Sequence, residues 1–392
     1  MILKKEKDIL KIIKKNFMLL QKNDFKKNKS KHWNVFSKNF INAFNFENYW
    51  RYFLHNEEGN SNIIMFGKQM DKILQEKDFG KKKYYIRNSI KKELIKEFKG
   101  LKKRIGIKFI RNFYEGKIGN PKSLYYEKML INFRDMKALW HSWKIYKKLR
   151  FNLPKEPIIL EIGPGVGHLS TKIKKLFPRA KIILIDLPEV NCIQRYYHWK
   201  VFPKAKIFDY TSLKKNGLKY FFKEKYDFAI LPPSIIKDIK SNSIDLSINI
   251  RSMQEMDIST VQNYMTQINR IVKTNGFFYC VNRYMKNSSD CPIKIKEYNF
   301  DNYWYFLENQ QSWQQPWVHE LLAKRTNLQH IKRPKDILSK LHPFDLKRSS
   351  SFKDILFVLK NFLCTNDERT YPSSLNVKFK NIYLNLIRRN IE

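Results

Sequence analysis

The chain has 392 residues, of which 77 are Lys or Arg and 36 are Asp or Glu, giving a formal net charge of +41 at pH 7. This length can bury a full core and predicts two domains, or one domain with large additions. No stretch approaches the ~20 apolar residues that a membrane-spanning helix needs, and lysines interrupt Met1 to Leu20, so no signal peptide is expected. The charge favours an anionic partner or reflects the codon usage of an A/T-rich genome, and both explanations stay open.

Cysteine and metal-ligand patterns exclude two further classes. The four cysteines form no Cys-x-x-Cys pair, which predicts neither a disulfide framework nor a zinc site. No cluster of Asp, Glu and His has a convincing metal-ligand spacing, so no metal site is predicted, and a bound Mg²⁺ stays an open alternative. A cytoplasmic protein is the simplest expectation, with peripheral contact at the anionic inner face of the membrane as an addition.

Residues 1–125 predict a basic, helical N-terminal region. Between Met1 and Lys31, apolar residues recur near helical spacing among lysines. This pattern indicates a solvated helix packed on the protein, or a helix lying on an anionic membrane surface. An aromatic cluster from Phe44 to Phe53 is expected in a core. Further helices are predicted over Ser89–Phe98 and Tyr125–Leu149.

Residues 126–325 predict an α/β domain with a doubly wound sheet. Five apolar segments have the length and composition of strands: Ile158–Ile162, Lys181–Ile185, Tyr226–Leu231, Ile244–Ile250 and Phe277–Asn282. Strands that alternate with helices argue for a parallel sheet with right-handed crossovers. Residues 326–392 are a basic C-terminal extension with a weak pattern, for which helices or loose packing are expected.

A glycine-rich turn follows the first of these strands and reads Glu161-Ile162-Gly163-Pro164-Gly165-Val166-Gly167. Glycine lets a backbone approach a ligand closely because it has no Cβ. A dinucleotide site has the spacing Gly-x-Gly-x-x-Gly, whereas here an acidic residue precedes three glycines at alternate positions. The turn resembles the first motif of class I S-adenosylmethionine (SAM) methyltransferases. The resemblance implies that Glu161, Gly163, Gly165 and Gly167 bind SAM; the alternative is a structural turn in another α/β protein.

Asp186 ends the second predicted strand, about twenty residues after the glycine turn, where a ribose-binding acid is expected. A carboxylate there can accept hydrogen bonds from both ribose hydroxyls. The segment Ile185-Asp186-Leu187-Pro188 also resembles the Asp-Leu-Pro signature of several O-methyltransferases. The alternative role for Asp186 is the cap of the next helix.

Leu231-Pro232-Pro233-Ser234 resembles the Asn/Asp-Pro-Pro-aromatic motif of enzymes that methylate amino groups of bases or of glutamine. Both defining residues are missing, because Leu231 offers no polar side chain and Ser234 cannot stack on a base. We therefore interpret this segment as the end of the third strand, with Leu231 and Pro232 in apolar contact with adenine. A nucleic-acid methyltransferase remains the alternative, supported by the charge and the Pro-Pro pair.

The acceptor is expected at the ends of the fourth and fifth strands, since ligands bind at the carboxyl ends of strands in such sheets. Glu255 lies after the fourth strand, where many O-methyltransferases carry a general base. Asn282 and Arg283 suit the hydroxyls or phosphates of a glycosyl acceptor. His319 is the other candidate base, since histidine titrates in the right range. For Glu255 the alternative is a cap or an ion pair on the following helix. For Asn282 and Arg283 it is local pairing at the surface, and for His319 it is a structural role.

The combination resembles bacterial sugar O-methyltransferases from near Met129 to near Arg325. The resembling parts are Leu160 to Gly165, Ile185 to Pro188, Asn249 with the run Ser252 to Met256, and Asn282-Arg283. The family implies a Rossmann-like methyltransferase sheet, SAM as methyl donor, and a free or phosphate-linked sugar or glycoconjugate as acceptor. It assigns Asn249 to the cofactor, and Ser252 and Gln254 to the acceptor. A third reading is a non-catalytic SAM- or nucleotide-binding protein at a membrane surface.

Overall fold

A computed structural model describes residues 4–23, 88–115, 123–286, 293–314, 318–329 and 334–339. The chain divides into two compact units, Met1–Lys240 with Ile244–Leu246, and Ser241–Ser243 with Ser247–Glu392. The aromatic cluster from Phe44 to Phe53 and nearly all of the C-terminal extension lie outside the described residues. Within those ranges, none of the helices combines the length and apolar character that crossing a bilayer requires.

The first unit begins with helices α1 (Lys4–Asn23), α2 (Asn88–Ile105) and α3 (Ile107–Phe113), a hairpin of β1 (Leu124–Tyr126) and β2 (Met129–Ile131), and helix α4 (Phe133–Leu149). The helix predicted near Ser89 is confirmed. The single helix predicted from Tyr125 is wrong, because Glu127 and Lys128 adopt positive φ angles of 45° and 63° and turn the chain into the hairpin. Helix α4 begins only after Asn132, whose side chain accepts the backbone N–H of Asp135.

The sheet of the first unit contains β3 (Ile158–Ile162), β4 (Lys181–Ile185), β5 (Ile207–Phe208) and β6 (Phe228–Leu231). Helix α5 (His168–Leu176) follows β3, α6 (Pro188–Val201) follows β4, and α7 (Tyr210–Asn216) and α8 (Leu218–Lys223) follow β5. The strands are ordered β3-β4-β6-β5, and each neighbouring pair is parallel. The predicted α/β fold with a parallel sheet is therefore confirmed. The short edge strand β5 was not predicted; β6 lies beside β4, as expected for a third strand.

Helix α1 packs against α6 and α7. Its apolar residues Ile13, Phe17 and Leu20 are buried. The Asn16 side chain donates to Asp209 Oδ2 at 2.8 Å and accepts the backbone N–H of Thr211 at 2.8 Å. The lysine-rich helix predicted at the N-terminus thus has one face packed on the protein.

Strand β7 (Ile244–Ile250) starts in the first unit and ends in the second, with the predicted bounds. The second unit continues with α9 (Ile258–Ile271), β8 (Val272–Arg283), β9 (Met285–Lys286), β10 (Ile293–Lys294), β11 (Trp304–Gln311), β12 (Val318–Arg325) and α10 (Pro334–Ser339). Its main strands are ordered β11-β12-β8-β7, with β12 antiparallel to both β11 and β8. Strands β11 and β12, which were not predicted, extend this part of the sheet.

Candidate functional site

The carboxyl ends of three parallel strands lie level in the first unit. Ile162 of β3 pairs with Ile185 of β4, which pairs with Leu231 of β6. The glycine turn, Asp186 and Pro232 are the next residues along the chain, so all three leave the sheet at the same edge. This is the edge at which ligands bind in α/β sheets.

The glycine turn adopts a backbone that other residues rarely take. Gly163, Gly165 and Gly167 have φ angles of 66°, 59° and 97°. A Cβ added to Gly165 would meet no atom within 4 Å, so open space lies beside this residue. A Cβ added to Gly167 would lie 2.3 Å from His198 Cε1, which shows that Gly167 is required for packing. The predicted cofactor role therefore suits Gly165 best, and Gly167 serves helix packing.

Asp186 faces the turn and is held by three donors. Its Oδ2 accepts the backbone N–H of Gly165 at 3.0 Å and the Gln194 amide at 3.1 Å, and its Oδ1 accepts the N–H of Leu187 at 2.8 Å. Burial raises its pKa to about 7, with Glu189 adding to the rise and the three hydrogen bonds opposing it. Asp186 does not cap α6, because that helix begins at Pro188 and its N-cap is Leu187.

Glu161 is the second-last residue of β3 and is 4% exposed. Burial, followed by the charge of Asp186, raises its pKa to about 8. The negative charge of Asp186 therefore disfavours ionisation of Glu161. Its Oε2 is buried and has no hydrogen-bond partner among the described residues. An unsatisfied buried acceptor is costly, which favours a donor supplied by a ligand or water.

Gln194 on α6 completes this site, although no sequence motif marks it. Its Nε2 donates to the carbonyl of Gly165 at 2.8 Å as well as to Asp186. Open space at Gly165, a half-buried Asp186 and the orphaned buried acceptor Glu161 Oε2 fit a nucleoside with hydroxyl and amino donors. The residues present therefore fit the adenosyl part of SAM.

A second buried cluster joins the N-terminal helices to α5 and α6. Glu115, two residues after the end of α3, accepts hydrogen bonds from Thr171 at 2.9 Å and from Tyr197 at 2.9 Å, and Lys175 contacts it at 2.5 Å. The fully buried Lys172 ammonium contacts both Glu115 and Asp135.

The ionisation of this cluster is set by its pairing. Burial opposes ionisation of Glu115, but the charges and hydrogen bonds of its partners lower its pKa to about 2. The pKa of Lys172 is raised by Asp135 and Glu115 against the effect of burial. Glu115, Asp135 and His168 offer ligand atoms within 4.8 Å of one another, yet the Lys172 ammonium already supplies a cation there. Sequence reasoning missed this cluster, since its members are far apart in the chain.

In the second unit, three predicted site residues hydrogen-bond to each other. Asn282 Nδ2 donates to Asn249 Oδ1 at 2.9 Å, Asn282 Oδ1 accepts the backbone N–H of Gln254 at 3.3 Å, and Gln254 Oε1 accepts the backbone N–H of Arg283 at 2.8 Å. All three amide side chains are buried. They fix the segment after β7, which turns sharply because Arg251 has a φ of 61°.

The remaining predicted residues differ in accessibility. Ser252, Glu255 and Arg283 are half-buried, and Arg283 Nε is buried without a hydrogen-bond partner among the described residues. His319 is buried and pairs across the strands with Asn282, with the Tyr284 ring 5.9 Å away. In the first unit Leu231 and Pro232 are buried, as apolar contacts require. The roles of all these residues stay predictions.

A scan against family models finds no match for the chain, and a search of curated proteins finds none. The fold is similar to solved methyltransferases at low identity. A methyltransferase of Haloferax volcanii, solved with the Trm112 activator, has 13% identity and a TM-score of 0.33, covering 50% of this chain and 95% of that one. A SAM-dependent methyltransferase from Aquifex aeolicus has 14% identity and a TM-score of 0.29, covering 50% and 100%. Human N-acetylserotonin methyltransferase, solved with SAM, has 13% identity and a TM-score of 0.28, and the match covers 50% of this chain and 56% of that one.

Proposed function

We propose that the protein is a SAM-dependent O-methyltransferase that acts on a hydroxyl of a sugar or glycoconjugate in cell-surface polysaccharide or glycan biosynthesis. The observation that carries the cofactor is the glycine turn, which leaves open space at Gly165 directly above a carboxylate held by Gly165 itself. When bound, SAM supplies an electrophilic methyl group. The chain supplies the binding site, the acceptor site and a base.

Residues of the first unit bind the adenosyl group in this proposal. Asp186 accepts hydrogen bonds from the ribose hydroxyls, because a half-buried carboxylate at a strand end has lone pairs beyond those used by its three protein donors. Leu231 and Pro232, buried at the end of β6, give apolar contact to the adenine. Leu231 also argues against a base-methylating enzyme, since it has no polar group to hold a target nitrogen.

Residues of the second unit bind and activate the acceptor in this proposal. The buried amides of Asn249, Asn282 and Gln254 hold the segment after β7 in one conformation. That segment ends in Glu255, whose half-buried carboxyl group takes the proton of the acceptor hydroxyl. A fixed base placed on a rigid segment costs less ordering when the acceptor binds.

Arg283 favours an anionic acceptor within the same proposal. Its side chain is half-buried, and its buried Nε lacks a hydrogen-bond partner among the described residues. A guanidinium binds phosphate or carboxylate through paired N–H donors. A sugar linked to a phosphate, such as a nucleotide or lipid-linked sugar, supplies this group.

The test is transfer of label from methyl-labelled SAM to a panel of free sugars, nucleotide sugars and RNA. We expect label in a sugar-containing acceptor, as an ether that withstands mild base. Glu255→Gln is expected to lower turnover by about 100-fold, the range of general-base catalysis, with SAM affinity unchanged. Asn263→Gln, on the exposed face of α9, is the matched control. Label in RNA alone would contradict the sugar proposal, and full turnover by Glu255→Gln would contradict the base.

A further inference from the structure

We propose that Gln194 is a positioning residue for cofactor binding: its amide holds the Asp186 carboxylate and the Gly165 peptide in the orientation that receives the ribose. The proposal depends on SAM binding at the glycine turn and is independent of the acceptor. Gln194 lies on α6, eight residues after Asp186, and is completely buried.

The hydrogen bonds of Gln194 define its orientation. Both N–H groups of its Nε2 are used, one by the Gly165 carbonyl at 2.8 Å and one by Asp186 Oδ2 at 3.1 Å. A flipped amide would place Oε1 against these two acceptors, so only one orientation is compatible with the neighbours. The Gly165 N–H in turn donates to the same Oδ2 at 3.0 Å. Gln194 thus holds the carbonyl group of Gly165 and Asp186 holds its N–H group, while open space lies where a Cβ of this residue would be.

One polar atom of Gln194 remains unsatisfied. Its Oε1 is buried and has no hydrogen-bond partner among the described residues. Leaving a buried acceptor unpaired costs free energy, so this glutamine is an expensive choice for packing alone. Its value lies in the two donors that it directs at the turn and at the carboxylate.

The electrostatic surroundings give these donors a function. Glu189 on α6 acts electrostatically on Asp186, Asp186 acts on Glu161 of β3, and both of these neighbours are acidic. Burial and Glu189 raise the pKa of Asp186, and the Gln194 amide is one of three donors that oppose the rise. Removing this donor therefore raises the pH at which Asp186 becomes a carboxylate.

The experiment measures binding of S-adenosylhomocysteine by calorimetry between pH 5.5 and 9, in wild type and in Gln194→Met, which keeps the volume without the donors. We expect about tenfold weaker binding at pH 7, the effect of one hydrogen bond to a charged group, and a midpoint of the pH profile at higher pH. The same comparison in a Glu161→Gln background isolates Asp186. Gln262→Met, exposed on α9, is the control.

Deoxy analogues of the ligand separate positioning from general stability. Wild type is expected to lose affinity for 2′-deoxy and 3′-deoxy S-adenosylhomocysteine, and Gln194→Met to lose a smaller factor, because the misplaced carboxylate gains less from each hydroxyl. If Gln194→Met folds poorly, Gln194→Glu is measured instead. The midpoint of its pH profile is expected at a still higher pH than that of Gln194→Met. If the deoxy ratios and the pH midpoint equal those of wild type, or if wild type binds no ligand, the proposal is overturned.

Discussion

Gly167→Ala tests the packing of the glycine turn most sharply. The added Cβ would lie 2.3 Å from His198 Cε1 and 3.0 Å from Ser170 Oγ. The imidazole cannot yield easily, because it is fully buried and its two nitrogens contact the Gln194 carbonyl at 2.7 Å and Ser170 Oγ at 2.8 Å. A left-handed φ costs an alanine about 1–2 kcal/mol and overpacking about 1–3 kcal/mol. The free energy of unfolding should therefore fall by about 2–5 kcal/mol.

Gly165→Ala is the matched variant, since its φ of 59° imposes similar backbone strain while the new methyl meets no atom within 4 Å. Urea denaturation should show a loss of only about 1–2 kcal/mol for Gly165→Ala. In calorimetry, Gly165→Ala should lose more affinity for S-adenosylhomocysteine than Gly167→Ala, because the methyl group at residue 165 fills the space assigned to the cofactor. The loss caused by Gly167→Ala should shrink in a His198→Ala background. Equal unfolding free energies for the two glycine variants would refute the packing argument.

Three further predictions concern buried charge. Glu115→Gln leaves the buried Lys172 ammonium poorly compensated and should cost about 3–5 kcal/mol. Glu127→Gln, at a partly exposed ion pair with Lys102, should cost under about 1 kcal/mol, and equal losses in urea denaturation would contradict this. Because the pKa of Glu161 is raised to about 8, the native state holds a proton that the unfolded state lacks above pH 4.5. The free energy of unfolding should therefore fall as the pH rises from 4.5 to 8, and Glu161→Gln should make it less dependent on pH. Burial lowers the pKa of His198 to about 4, so between pH 6.5 and 4 the unfolded state binds a proton that the native state lacks. The free energy of unfolding of the wild type should therefore fall as the pH falls from 6.5 towards 4. In His198→Gln this fall should be smaller by about 3 kcal/mol.

Strands β3, β4 and β6 of the first unit were predictable because they are largely apolar runs that end in chemically distinct residues, whereas the two-residue strand β5 is too short to give such a pattern. The bounds of β4 and β7 match the prediction, since a charged residue directly follows each run. The hairpin β1–β2 was missed because its apolar residues fit a helical pattern continuous with α4. The positive φ angles at Glu127 and Lys128 turn the chain into the hairpin, and neither residue type signals them.

The candidate site divides in the same way. Glycine spacing and a strand-end acid are local features, so the glycine turn and Asp186 could be found from the sequence. The contacts of Gln194 and Glu115 could not, because they join residues 29 and 56 positions apart through tertiary packing. The buried mutual hydrogen bonds of Asn249 and Asn282 likewise follow from the pairing of strands, which spacing alone does not encode.

Calorimetric titration of the full chain with SAM, in wild type and in Asp186→Asn, tests whether the glycine turn and Asp186 bind the cofactor. We expect saturable binding of one SAM per chain by the wild type. Asp186→Asn should bind at least about tenfold more weakly, because a neutral amide replaces a charged acceptor of ribose hydroxyls. Absence of binding at millimolar SAM, or equal affinity in the two proteins, would contradict the assignment of the glycine turn and Asp186 to the cofactor.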